Sequence, residues 1–103
     1  MAENYPRIIF PYGFNERDEY EMPLRGCLSH TFVELENGDR YPVEFIDPVR
    51  LGQDLADYIR SEIPCYAEPG LIVIPEVTLP RIQEAVKYLY ERGFFNQFKP
   101  ANR

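Results

Sequence analysis

The sequence predicts an α+β protein: a small mixed sheet of three or four strands in the order β-β-β-α-β-α, with two helices packed on one face. Three features support this fold class. Apolar and polar residues alternate on both sides of an Asn-Gly turn within 30–46, which is typical of a β-hairpin. Two later segments, 47–63 and 78–92, carry apolar residues at helical spacing, and the aliphatic run 71–74 separates them. The length of 103 residues suits one domain, so we expect a single domain over 1–103.

The segment 1–27 is predicted to be rich in loop, with one short strand. Three prolines and two glycines interrupt it, and only 7–10 keeps an apolar run of strand type before Pro11 ends it. The loop that remains, 11–27, is long compared with the usual connections of about 4–6 residues. Because long loops in small domains are commonly functional, this segment is the first candidate for a binding site.

The pairing of the hairpin strands follows from their hydrophobic pattern. A two-residue turn at Asn37-Gly38 would mix polar and apolar side chains on each face of the sheet. A three-residue loop with Gly38 in the left-handed position of a bulge separates them instead, and a slip by one residue would turn each apolar set to the wrong face. The predicted pairs are Val33–Tyr41, Thr31–Val43, Glu34–Arg40, Phe32–Pro42 and His30–Glu44.

The first predicted helix follows the hairpin directly. Asp47 before Pro48 has the form of an N-cap, and Pro64 ends the helix. The apolar residues recur every four positions, which predicts one buried face. They are Leu51, Leu55, Ile59 and Ile63. Gly52 within this helix is typical of a close contact with a strand.

The run 71–74 contains no polar position, which predicts a strand buried on both sides. A strand, a helix and a further strand form a right-handed crossover. We therefore expect 70–75 to run parallel to 40–46. The last helix begins after Thr78 as its N-cap and ends near Gly93.

The chain carries 17 acidic and 11 basic residues, a net charge of −6. This balance argues against a nucleic-acid partner, because domains that bind phosphates cluster basic side chains. The acidity is uneven: residues 1–62 hold 13 acids and 6 bases, whereas 63–103 hold 4 acids and 5 bases. The densest acidic stretch is either a solvated loop or an anionic patch for a basic protein. The candidate partner-binding residues in it are Glu16, Asp18, Glu19, Tyr20 and Glu21.

The segment 94–103 forms an aromatic C-terminal tail. Phe94, Phe95 and Phe98 follow the predicted end of the last helix. These rings either fold back against the helices and the sheet, or they form an exposed aromatic patch. Because an exposed patch would bind a partner, all three are candidate partner-binding residues.

Few side chains are suited to catalysis or metal binding. His30 is the single histidine, and its predicted partner Glu44 could orient the imidazole. Cys27 and His30 have the two-residue spacing of a metal site, but a structural zinc needs four ligands and Cys65 is the only other thiol. No glycine-rich phosphate loop occurs, so we expect no cofactor. A small metal-binding protein or enzyme built on these four residues is the alternative function.

Contact surface rather than chemistry is therefore the expected function: a non-catalytic acidic domain that binds another protein of basic character. Size and charge give two class-level analogies, an immunity- or antitoxin-like inhibitor and an adaptor subunit. The sequence has no apolar run of membrane-spanning length and no cationic start before an apolar stretch, so we expect a cytoplasmic protein without a membrane partner. A homodimer through the sheet edge near Pro42 or through the aromatic tail is a further option.

Overall fold

The computed structural model describes residues 5–102, so positions 1–4 of the predicted N-terminal segment and position 103 of the predicted tail lie outside it. In chain order the elements are β1 (Arg7–Ile9), α1 (Glu16–Arg25), β2 (Cys27–Glu34), β3 (Arg40–Ile46), α2 (Pro48–Arg60), β4 (Leu71–Val73), α3 (Leu79–Glu91) and a 3-10 turn (Phe94–Gln97). This is the predicted α+β class, with one helix, α1, in addition to the predicted order.

The four strands form one mixed sheet in the spatial order β1-β2-β3-β4. β2 pairs antiparallel with both β1 and β3, and β4 runs parallel to β3. Because a strand can return in the same direction only through a connection that crosses the sheet, the parallel pair confirms the predicted crossover through α2.

Four of the five predicted hairpin pairs are observed: Val33–Tyr41, Thr31–Val43, Glu34–Arg40 and Phe32–Pro42. The fifth, His30 with Glu44, is wrong. Ser29 and His30 together lie where β3 has Glu44 alone, so β2 bulges at this point. His30 there has a φ of 59°, in the left-handed region that residues other than glycine seldom adopt. The alternation of polar and apolar residues in the sequence does not reveal this extra residue.

The predicted loop 11–27 is wrong, because this segment contains α1. The Asn15 side chain accepts two backbone hydrogen bonds at the start of the helix, and the Asp18 side chain accepts one from the Asn15 N–H, which completes a capping box. Gly26, with a φ of 75°, ends the helix in the left-handed conformation. Pro23 hides this pattern in the sequence, since proline inside a helix is unfavourable.

α1 and α3 pack on one face of the sheet and form the core with it. Met22 of α1 is buried together with Ile82 and Val86 of α3. The strands contribute alternate residues to the same cluster: Leu28, Val33, Tyr41, Val43, Phe45 and Ile72. Burial of these apolar side chains is the main term that favours folding.

α2 contributes no side chain to this core, and none of its residues is buried. α2 lies instead on the opposite face of the sheet. Glu44 points to that face, because its neighbours Val43 and Phe45 point to the core. The Tyr66 hydroxyl donates to Glu44 Oε2 at 3.3 Å, and the Tyr58 ring of α2 packs on the Tyr66 ring with centroids 5.2 Å apart. The two predicted helices therefore lie on opposite faces, and α1 takes the place beside α3. An amphipathic pattern shows that a helix has an apolar side but not which element covers that side.

β4 is an edge strand, so the predicted burial on both sides is wrong. Ile72 is 8% exposed on the core face, whereas Val73, on the face of α2, is 50% exposed. α2 also ends at Arg60, before the predicted end at Ile63. An aliphatic run alone does not distinguish an interior strand from an edge strand with an apolar outer side.

The C-terminal tail docks against the first residue of β3, Arg40. The Ala101 N–H donates to Arg40 O at 2.8 Å, and Asn102 Oδ1 accepts from Arg40 N at 3.0 Å. Gly70 packs so closely that a Cβ on it would lie 2.2 Å from Pro42 O. The edge that the sequence predicts to be open at Pro42 is therefore covered by the chain itself.

Candidate partner-binding site

A groove lies between the outer side of α1 and the start of α3, and we call it the α1–α3 groove. It is open to the solvent and has a volume of about 580 Å³. Its lining residues are Glu16, Glu19, Tyr20, Pro23, Leu24, Thr78, Leu79 and Pro80. Met22, which is 2% exposed, anchors the inner side of α1 in the core. The residues on the opposite side of the helix are thereby directed to the solvent.

Two large apolar side chains stand on this outer side of α1. Tyr20 and Leu24 are each 75% exposed, and they are neighbours because they lie four residues apart on a helix. Leu79 and Pro80 at the start of α3 form the opposite wall of the groove. Exposed aromatic and aliphatic residues in a concave surface are typical anchors for a protein partner.

The four acidic residues of the predicted patch differ in their hydrogen-bond and ion-pair partners. Glu21 is engaged inside α1, because its carboxylate accepts from Arg17 Nε at 3.2 Å and from Arg25 Nη2 at 2.5 Å. Asp18 caps the helix, as described above. Within residues 5–102, the side chains of Glu16 and Glu19 have no such partner, and both line the groove. These two carboxylates are therefore available to a basic group of a partner.

The predicted phenylalanines do not join this groove. They follow α3 at its far end, and a helix of 13 residues separates them from the groove by about 20 Å. Phe95 is 2% exposed and belongs to the core. Phe94 is half-buried, and Phe98 is 46% exposed.

Phe94 and Phe98 instead line a separate apolar pocket of about 150 Å³. Tyr41, Pro42 and Pro69 form part of its wall. Phe95 thus folds back into the core, as the first of the two predicted arrangements has it. Phe98 remains partly exposed, as the second arrangement has it.

Of the residues of the metal-site alternative, Cys27 and His30 line one pocket. Within residues 5–102, no group of three His, Cys, Asp or Glu side chains is arranged to hold a metal ion. Both thiols are free, Cys27 half-buried and Cys65 exposed. Burial raises the pKa of Cys27, while the nearby Arg50 guanidinium opposes this shift. Glu44 accepts its hydrogen bond from Tyr66 rather than from His30.

Sequence reasoning missed five of the eight groove residues: Pro23 and Leu24 on α1, and Thr78, Leu79 and Pro80 at the start of α3. The spacing of Tyr20 and Leu24 could have indicated a shared helix face, but only after 16–25 had been recognised as a helix. The approach of α3 to α1 depends on tertiary packing, and no local pattern reports it.

Within residues 5–102, no helix combines the length and apolar character needed to cross a bilayer. Comparison of the chain with protein-family models, with curated proteins and with solved structures found no match.

Proposed function

We propose that the protein is a non-catalytic acidic binding domain of the cytoplasm that holds a basic protein partner in the α1–α3 groove. The observation that carries the proposal is the outer side of α1, where two carboxylates without an ion-pair partner in residues 5–102, Glu16 and Glu19, line the groove beside the exposed Tyr20 and Leu24. Apolar anchors supply affinity, and the carboxylates select a partner with lysine or arginine beside its own apolar residues.

The net charge of −6 supports the same assignment. An acidic protein attracts a basic one from a distance and accelerates the encounter, and salt screens that attraction. A small acidic domain of this kind serves either as an inhibitor that covers the active surface of a basic protein or as an adaptor subunit that attaches one.

Selection from a random displayed peptide library on the immobilised chain tests the proposal. We expect the enriched peptides to combine lysine or arginine with aliphatic or aromatic residues. Their affinity should fall about tenfold or more between about 50 mM and about 500 mM salt, because the attraction is electrostatic.

Two variants locate the binding surface. Tyr20→Ala with Leu24→Ala should weaken the selected peptides about tenfold or more, as expected for truncated anchors. Glu16→Gln with Glu19→Gln should weaken them several-fold and reduce their salt dependence. Glu36→Gln with Glu91→Gln removes the same charge from exposed positions outside the groove and serves as the control. Peptides without basic residues, or equal loss in the control, would contradict the proposal.

A further inference from the structure

α2 turns a polar side toward the rest of the molecule. Arg50 Nη1 donates to Arg25 O at 3.0 Å, and Arg50 Nε donates to Asp54 Oδ1 at 3.0 Å. Tyr58, on the same side, packs on the Tyr66 ring. The half-buried aliphatic side chain of Leu51 lies on this side as well, and the opposite side of the helix carries the exposed apolar residues.

The apolar side of α2 faces the solvent. At 100° per residue, five positions form one stripe along the helix, and none of them is charged. We call it the α2 stripe, and its members are Val49, Gly52, Leu55, Ala56 and Ile59. Val49 is 70% exposed, Leu55 36% and Ile59 57%. Large exposed apolar surfaces of this kind are typical of protein interfaces.

Among residues 5–102, nothing packs against the open side of Gly52. A Cβ built on it would meet no atom within 4 Å, so the close contact with a strand that the sequence predicts is not present. Glycine is less favourable in a helix than any residue except proline. A position that lacks a side chain and faces open solvent is suited to the close approach of a second helix from outside.

We propose that the α2 stripe is the interface of a homodimer, in which α2 packs antiparallel against α2 of a second copy. A two-fold axis near the middle of the stripe places Gly52 opposite Ile59 of the second copy, and Leu55 opposite Ala56 of the second copy. Leu55 and Ile59 then each meet a small residue, so this part of the stripe is complementary to itself, as a two-fold interface requires.

The α2 stripe is not suited to the basic partner of the groove. The stripe itself is uncharged and offers nothing to a lysine or an arginine. Two chains of net charge −6 repel each other over most of their surfaces. Contact through the α2 stripe places no acidic side chain of one stripe against the other, because the stripe contains none.

The size of the face sets the strength of the dimer. α2 has 13 residues and is about 20 Å long, so the contact is smaller than the roughly 800 Å² per partner of a standard interface. We therefore expect a weak dimer with a dissociation constant of about 1 µM or higher. Salt should strengthen it, because salt screens the repulsion between two acidic chains.

Sedimentation velocity of the full chain from about 1 µM to about 1 mM tests the proposal. The native chain should shift from monomer to dimer over this range. Gly52→Gln, which has room in the monomer, and Ile59→Glu, which adds a charge to the stripe, should each weaken the dimer at least about tenfold. Gln53→Glu adds the same charge beside the stripe and serves as the control.

Circular dichroism shows whether each variant remains folded, and Gly52→Gln should be at least as stable as the native chain because glutamine is the better helix former. A native chain that stays monomeric throughout, or variants that dimerise as the native chain does, would overturn the proposal. The selected groove peptides should still bind both variants, so failure of the dimer is distinguishable from failure of the proposed function.

Discussion

Glu34 in β2 shows how one carboxylate is held in the sheet. Its Oε1 accepts from Arg7 Nε at 2.6 Å and its Oε2 from Arg40 Nε at 2.9 Å. The hydrogen bond from Arg40, and then the one from Arg7, hold the pKa of Glu34 below its ordinary value of 4.5. The Arg40 pair follows from the hairpin register, whereas Arg7 lies in β1, whose pairing no turn signal indicates.

We expect the ion pairs of Glu34 to make stability depend on pH. Because its pKa is lower in the folded chain than in the unfolded one, the pairs contribute fully above the ordinary value of 4.5, and the contribution is lost as the pH falls through the folded-state pKa. Glu34→Gln should therefore lower the free energy of unfolding near neutral pH, and its difference from the native chain should narrow in acid. Urea unfolding at several pH values measures this.

Glu36→Gln is the matched control, since Glu36 is an exposed carboxylate two residues away. It should leave both the stability and its pH dependence nearly unchanged. A Glu34→Gln difference that stays constant from about pH 7 to about pH 3 would show that packing rather than charge accounts for the loss.

At the scale of elements, the sequence predicts what local chemistry determines. Asp47 and Thr78 cap α2 and α3 as expected, each accepting a hydrogen bond from the backbone N–H three residues on. The hairpin register follows from alternation, since a slip would bury polar side chains. The bulge at His30 is not predictable in this way, because an extra residue at a polar position leaves the pattern of the core face intact.

α1 and α2 show the two limits of periodicity. In α1 a real helix is obscured by Pro23, although the Asn15 cap and Gly26 are visible in the sequence. In α2 the helix is evident, but the burial of Leu55 and Ile59 is predicted wrongly, because both are exposed. Periodicity reports that a helix has an apolar side, and it is silent on whether this chain or another covers that side.

The contact between Gly70 and β3 gives a prediction for the parallel pair of strands. Gly70 directly precedes β4 and has a φ of 77°. It lies so close to β3 that a Cβ added to it would be 2.2 Å from Pro42 O. Gly70→Ala should therefore lower the free energy of unfolding by more than about 2 kcal/mol, through a disfavoured φ and a clash with backbone. Chemical denaturation measures the loss.

Gly13→Ala separates the two causes. Gly13 has a φ of 80° and nothing within 4 Å of the added Cβ, so this variant should lose only the conformational part, about 1–2 kcal/mol. Equal losses at Gly13 and Gly70 would mean that β4 moves away from β3 at little cost, and that the close approach does not stabilise the sheet.

At the scale of the whole molecule, the sheet separates two surfaces of different character. The α1–α3 groove lies on the core side, because α1 and α3 both pack there. The α2 stripe lies on the other side, where the Tyr58 ring of α2 packs on Tyr66 and the Tyr66 hydroxyl donates to Glu44. One surface is acidic with apolar anchors and the other is uncharged and apolar, so a basic partner and a second copy do not compete for the same residues.

This separation predicts a complex with two partners on one dimer. Because the groove attracts opposite charge and the dimer brings like charges together, raising salt from about 50 mM to about 500 mM should weaken peptide binding and strengthen dimerisation in the same sample.

The affinity of each groove for its peptide should be equal in the native dimer and in the Gly52→Gln monomer. On a surface that carries many copies of the peptide, the native chain should dissociate at least about tenfold more slowly than Gly52→Gln, since a dimer binds through two grooves. If salt weakens both equilibria together, or if Gly52→Gln loses the peptide in solution, the two surfaces are coupled and the arrangement on opposite faces does not describe how the protein binds.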